Sequence, residues 1–360
     1  MPPSVNDLLL NESISHQVDL RRYENGIVQR MVAVLNRSDA RLFAELTTAL
    51  QQLDPASFTM DRLESLLYSV RSINAQAYAK LSIELDTELR KFVAYEVAYQ
   101  NSTLIAFLPV QVHVATVTAE SVYTAALARP FQGGLLKNFL ADLEASKAKK
   151  IRQAVAQGFV ENKTTDQIVK ELRGTRAKGY ADGLLDVTRR DAQAVVRTAL
   201  GHMAGFVQDR TTAANTDIIK AVVWHSTLDN RTSDICIIRD LLEYTPETHQ
   251  PIGHSIPWLG GPGRAHWGCR SAQTYVMKSN EELGIPGPEI VMGNGERASM
   301  DGTVPSGTTY AEWLGKQSAA RQDEVIGSVR GAMLRRGEFT VSEFFNDKGK
   351  LLTLEQLSKR

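Results

Sequence analysis

The residues of this chain best suited to chemistry are crowded into one stretch, Trp224 to Val276. It holds both cysteines (Cys236, Cys269), three of the four tryptophans (Trp224, Trp258, Trp267) and four of the seven histidines (His225, His249, His254, His266). Zinc takes thiolate, imidazole and carboxylate ligands in tetrahedral sets of four. His266-x-x-Cys269 has ligand spacing, Cys236 offers a third donor, and Asp234, His249 or His254 offers a fourth. Two other readings of the same residues stay open. One is a Cys236–Cys269 disulfide, which a reducing compartment would limit. The other is a buried thiol acting as a small hydrophobe beside a histidine that orders a loop.

Acid–base chemistry is a further candidate. The four histidines and nearby arginines include the groups that move protons and clamp phosphates. The chain, however, contains no Gly-x-Ser-x-Gly, Walker loop, His-Glu-x-x-His or Gly-x-Gly-x-x-Gly, so no hydrolase or nucleotide motif supports it. Gly260-Gly261-Pro262-Gly263-Arg264 lacks the Lys-Ser/Thr and helix start of a phosphate loop. It reads as a tight structural loop beside Trp258 and Trp267. Asp229 and Arg231 read as a turn-stabilising ion pair next to Thr232.

These residues need a frame. AVVWHS, with its β-branched and aromatic residues, predicts a strand. Asp229-Asn230 predicts a turn, and AQTYVM predicts a returning strand that pairs with the first.

The arrangement of Asp229, Arg231, Thr232 and Cys236, followed past a loop by His266, Cys269 and Arg270, resembles the carboxy-terminal core of the minor head proteins of tailed bacteriophages, the Mu F-like head-morphogenesis family. The family pattern is Asp-x-Arg-Thr/Val, Cys-x-x-Cys, a Gly-containing loop and His-x-x-Cys-Arg-Cys. Two positions differ. Arg239 stands where the second Cys of the first pair would be, and Ser271 where the last would be. The helix before the core also matches at Arg197-Thr198, so the specific resemblance covers about residues 150–276. It implies a non-enzymatic head-morphogenesis protein acting in capsid assembly. The implied partners are the portal protein and the capsid interior, with major capsid or scaffold protein as neighbours, and double-stranded DNA at packaging or ejection. The implied location is the virion, and the host cytoplasm during assembly. The competing class is a nuclease-like domain on a helical carrier.

The 360 residues are enough for two or three domains, and 43% of them are apolar, enough for real cores. Lys+Arg and Asp+Glu both number 41. A protein whose main task was coating DNA would be basic overall, so any DNA contact is expected to be local. The densest basic region runs from Lys147 to Arg190, with Lys147, Lys149, Lys150 and Arg152 as DNA-contact candidates against a solvated helix surface with interspersed acids. MPPSVNDLLLNES has no signal-peptide character, and no apolar run approaches a membrane span, since Pro109, Gln111 and His113 interrupt the longest. A soluble, cytoplasmic chain without a membrane span is therefore expected.

The predicted fold is mainly α with a small α+β core. Residues 1–135 form a helical arm or hairpin. Its first apolar seam passes Ile14, Val18, Ile27, Met31, Leu42 and Leu50, with breaks considered at Gly26 or Ser38 and an end at Asp54-Pro55. A second helix is capped by Thr59 or Asp61, and a weak strand signal lies at 112–117. The arm is expected to be separable from the core. Residues 136–214 form a helical, basic middle, with a stop at Gly158 and a capping box at Thr164-x-x-Gln167. The core occupies 215–280, a Gly/Pro-rich linker 281–308, and a helical carboxy-terminal segment 309–360 that ends in a helix capped by Thr353.

Overall fold

The computed structural model describes residues 5–52, 59–108, 112–286 and 295–359. Asp54-Pro55, Pro109 and Gln111, and the part of the expected linker at 287–294, lie outside the described residues. The chain is mainly α with small sheets, as its periodicity predicts.

Helix α1 runs unbroken over Val5–Gln51 and α2 over Met60–Phe107. Gly26 and Ser38 do not break α1, because Ile27, Met31, Val34, Leu35 and Leu42 continue one buried stripe through both. Thr59 caps α2, its hydroxyl accepting from the Arg62 N–H at 3.3 Å. Then follow α3 (Ala119–Leu127), α4 (Leu136–Val160), α5 (Thr165–Arg173) and α6 (Leu184–Ala214). Gly158 is not the stop of α4. The helix continues to Val160, and Gly158 is where α5 packs, since a Cβ there would lie 2.5 Å from Ile168. The Thr164–Gln167 capping box forms in both directions. The segment at 112–118 is not a strand. Its backbone is met by the Asn215 side chain, which accepts from the Ala115 N–H at 2.8 Å and donates to the Ala115 carbonyl at 2.9 Å.

Two compact units, each discontinuous in sequence, make up the chain. One comprises Arg22–Lys91 and Leu127–Leu200. Its core sets Leu42, Leu46 and Leu50 of α1 against Leu63, Leu67 and Val70 of α2, Ile151 and Val155 of α4, and Ile168 and Leu172 of α5. Inside it, Lys147 is buried and ion-paired with Asp39, which also faces Arg189 at 3.4 Å. Lys147 is therefore not a phosphate-facing cation. Lys149 and Arg152 are exposed and Lys150 half-buried, and Arg152 pairs with Glu64.

The other unit comprises Met1–Arg21, Phe92–Ala126 and Gly201–Arg360. Its sheet has the order β2-β1-β3, from β1 (Ile219–His225), β2 (Glu243–Tyr244) and β3 (Ala272–Met277). The two predicted strands pair antiparallel, with Val222 opposite Tyr275 and His225 opposite Ala272. As the central strand, β1 is buried on both faces. Leu9 of α1 and Leu104 of α2 share a core with Val222, Trp224, Tyr244, Trp258 and Tyr275. The Tyr275 hydroxyl also donates to Gln100 at 2.7 Å, and the Met277 N–H to Asn6 at 2.9 Å. Contrary to expectation, then, the ends of the arm are part of this unit's core and cannot be removed without opening it.

Within the expected linker a hairpin forms from β4 (Glu296–Ser299) and β5 (Gly302–Pro305). The Met300 N–H donates to Leu228 at 2.9 Å, which ties the hairpin to the turn after β1. The carboxy-terminal segment divides into α8 (Tyr310–Gly315), α9 (Ala319–Ile326) and α10 (Ser328–Arg335). They pack Tyr310, Trp313, Leu314 and Ile326 against Leu228, Ile237 and Phe344.

Candidate metal centre

After β1 the chain turns through Thr227–Thr232, and Asp229 organises the turn. Its carboxylate accepts from the Arg231 backbone N–H and from the Thr232 hydroxyl, both at 3.0 Å. The ion-pair partner is Arg270, not Arg231. Arg270 engages both Asp229 oxygens, one at 2.7 Å, in the fork geometry that suits guanidinium to carboxylate. Burial alone would raise the Asp229 carboxyl, but the Arg270 hydrogen bonds and charge outweigh it and leave the group below its ordinary range. The Tyr310 hydroxyl donates to the Asp229 carbonyl at 2.6 Å and closes the turn from the carboxy-terminal side.

The turn delivers the chain to the short helix α7 (Asp234–Ile237), which presents Cys236. Cys269 and His266 arrive from the far side of the loop, in a turn closed by the Cys269 N–H donating to the His266 carbonyl at 3.2 Å. Gly268 has φ +66 there, the left-handed region that glycine enters most readily. Cys236, His266 and Cys269 converge, with their ligand atoms all within 4.8 Å of one another. The two sulfurs lie 3.7 Å apart as separate thiols, and the His266 Nε2 is 3.3 Å from the Cys236 Sγ. The Nδ1 of His266 is 3.0 Å from the Trp267 carbonyl. A carbonyl can only accept, so Nδ1 carries the proton and Nε2 turns its lone pair toward the sulfurs. This Cys–His–Cys group could hold a metal ion.

Its electrostatics suit a cation. The Cys269 thiol is drawn well down by accepting from Cys236 and, against burial, by His266. Its bond to Cys269 raises His266, and Cys236 is pushed up by donating to Cys269 and by burial. The group thus concentrates one negative charge on Cys269. Both cysteines are only 2% exposed, so neither sulfur is open to a substrate, as a nucleophile must be.

The fourth-ligand candidates lie elsewhere. The His249 ring stacks on Trp258, centroids 4.7 Å apart, and His254 bonds the Glu243 carbonyl at 2.9 Å. Asp234 accepts from the Ile235 N–H at the start of α7. His225 is buried against Thr274 at 2.8 Å, and burial keeps it neutral by lowering its pKa well below the ordinary value. The sequence gave no sign of the donors that do approach. Ser233 places its hydroxyl 2.8 Å from the His266 Nε2. Ser271 hydrogen-bonds Cys236 through its side chain and Cys269 through its backbone. Arg239, at the site of the second Cys of the first pair, donates to the Ile235 and Pro257 carbonyls at 2.6 and 2.8 Å and lies over the Trp224 ring. It cross-links the loop through hydrogen bonds where a thiolate would have done so through a metal. Arg297, from the hairpin in the expected linker, is buried and holds Asp240 with two bonds of 3.0 Å. Only Arg239 stood in a pattern that could have drawn attention to it.

Comparisons with protein-family models, with curated proteins and with solved structures found no match for this chain.

Proposed function

We propose that this chain is a structural protein of a tailed-phage head, a minor head protein acting in capsid assembly with the portal and the capsid interior as partners. One observation carries the reading. Seven residues that carry the resemblance, spread over positions 229 to 270, fall into two adjoining constellations that build one unit. Asp229, Arg231, Thr232 and Arg270 form the turn clamp. Cys236, His266 and Cys269 form the ligand group.

In this reading the ligand group holds zinc and staples the loop between Cys236 and Cys269. The separations favour it. With Zn–S of about 2.3 Å, Zn–N of about 2.0–2.1 Å and tetrahedral angles, two thiolates should lie about 3.8 Å apart and a thiolate and imidazole nitrogen about 3.6 Å. The group has 3.7 and 3.3 Å. The Nδ1–H donating to a carbonyl is the support that metal-bound histidines use, and a water or the hydroxyl of Ser233 or Ser271 would supply the fourth ligand. The role is structural, because the sulfurs are buried and the histidines that could act as bases are committed elsewhere.

The test is association of the purified chain with purified portal rings, run beside a divalent-metal DNA and RNA cleavage assay. Specific portal binding without cleavage is expected. Cleavage abolished by His266→Ala, with no portal binding, would establish the nuclease alternative instead.

A further inference from the structure

Behind the ligand group lies a half-open cavity of about 160 Å³ that the functions above do not use. Its walls come from one unit: Ile14, Gln17, Val18 and Arg21 of α1, His225 of β1 with Ser226 and Thr227 after it, Arg270 and Ala272 near β3, and Arg297 and Ala298 of β4. Three arginines line it, and among the described residues no carboxylate does. Two of these guanidiniums are fixed in place. Arg297 is held from behind by Asp240, and Arg270 by Asp229. Arg21 donates to the Cys269 carbonyl at 2.9 Å. The remaining surface is apolar, supplied by Ile14, Val18, Ala272 and Ala298. His225 adds a neutral imidazole whose buried Nδ1 has no hydrogen-bond partner.

We infer that this cavity is a binding site for a small monocarboxylate with a compact apolar body. The charge asymmetry selects an anion, because arginines held by second carboxylates are preorganised and lose little freedom on binding. The apolar walls select against a fully hydrated anion such as phosphate, whose oxygens would lose water against Val18 and the two alanines without replacement. The volume sets the size. An apolar cavity of about 150 Å³ accepts benzene, so the site takes about six to nine non-hydrogen atoms, the size of benzoate or a branched short-chain fatty acid.

The experiment is titration calorimetry of the full chain with benzoate, and in parallel with benzyl alcohol and inorganic phosphate. Binding of benzoate is expected, at least tenfold tighter than either control. Arg21→Gln should weaken it about tenfold or more, the loss of one charge-assisted contact. Ala298→Trp, at the exposed rim and away from the guanidiniums, should abolish it while leaving the unfolding temperature unchanged, and it serves where Arg21→Gln unfolds the protein. No benzoate binding at millimolar concentration, equal binding of benzyl alcohol or phosphate, or unchanged affinity in Ala298→Trp would each overturn the assignment.

Discussion

At the scale of single residues, the chain solves two problems with few groups. Asp229 anchors a turn and Arg270 anchors Asp229, so the second strand is pinned to the first before the ligand group is assembled. Closing the loop between Cys236 and Cys269, 33 positions apart, removes conformational freedom from the unfolded chain by about 3 to 4 kcal/mol on the loop-entropy scale. Cys236→Ser or Cys269→Ser should therefore lower the unfolding temperature by more than His225→Ala, and each should release the one zinc per chain expected by elemental analysis. Wild-type protein that carries no metal, with unfolding temperatures unmoved in both variants, would remove the staple from the account.

Buried histidines set the response to acid. Burial lowers His202 to about 4 despite its bond to the Ala126 carbonyl at 3.0 Å, and the unfolded value is near 6.5. Between those values the unfolded chain binds a proton that the folded chain refuses. Stability should thus fall as pH falls from about 6.5 toward about 4, by up to about 1.4 kcal/mol per pH unit for this one group. Denaturant titrations at pH 7 and pH 5 should show the loss, and His202→Gln should shrink the difference. An unchanged pH dependence in that variant would assign the acid response to other groups.

At the scale of elements, periodicity was readable and burial of charge was not. The seams of α1 and α2, the paired strands, and the Thr164 and Thr353 caps follow from local spacing, and they form. Lys147 and Lys149 look alike in sequence, two positions apart. On a helix they face different ways, and Lys147 meets Asp39 from more than 100 positions away. Such a pairing leaves no local trace. The same holds for Arg297, whose hairpin lies in a Gly/Pro-rich stretch and whose partner Asp240 belongs to another segment. Replacing Lys149, Lys150 and Arg152 by Gln should flatten the log–log salt dependence of DNA binding by up to about 3 units. Lys147→Gln should leave that slope alone and instead destabilise its helical unit by about 3 to 5 kcal/mol, because it strands a buried carboxylate. A salt slope that responds to Lys147 and not to the other three would reverse this assignment.

At the scale of the whole molecule, the two long helices each contribute to both compact units. Sequence reasoning divides a chain into consecutive blocks, so the arm and the core looked like separate modules. Contacts of Leu9, Asn6, Gln100 and Leu104 with the strands show why they are not. Among the described residues no helix is long and apolar enough to cross a membrane, and the charges balance, so neither a bilayer nor bulk DNA is the partner that the molecule favours. A protein assembly is, and the portal and capsid interior are the proposed one. The most direct test is the protein composition of purified, assembled heads measured by quantitative mass spectrometry. The account predicts this chain in a fixed ratio to portal, retained after nuclease digestion and high-salt washing. Heads that contain portal but not this chain would contradict it.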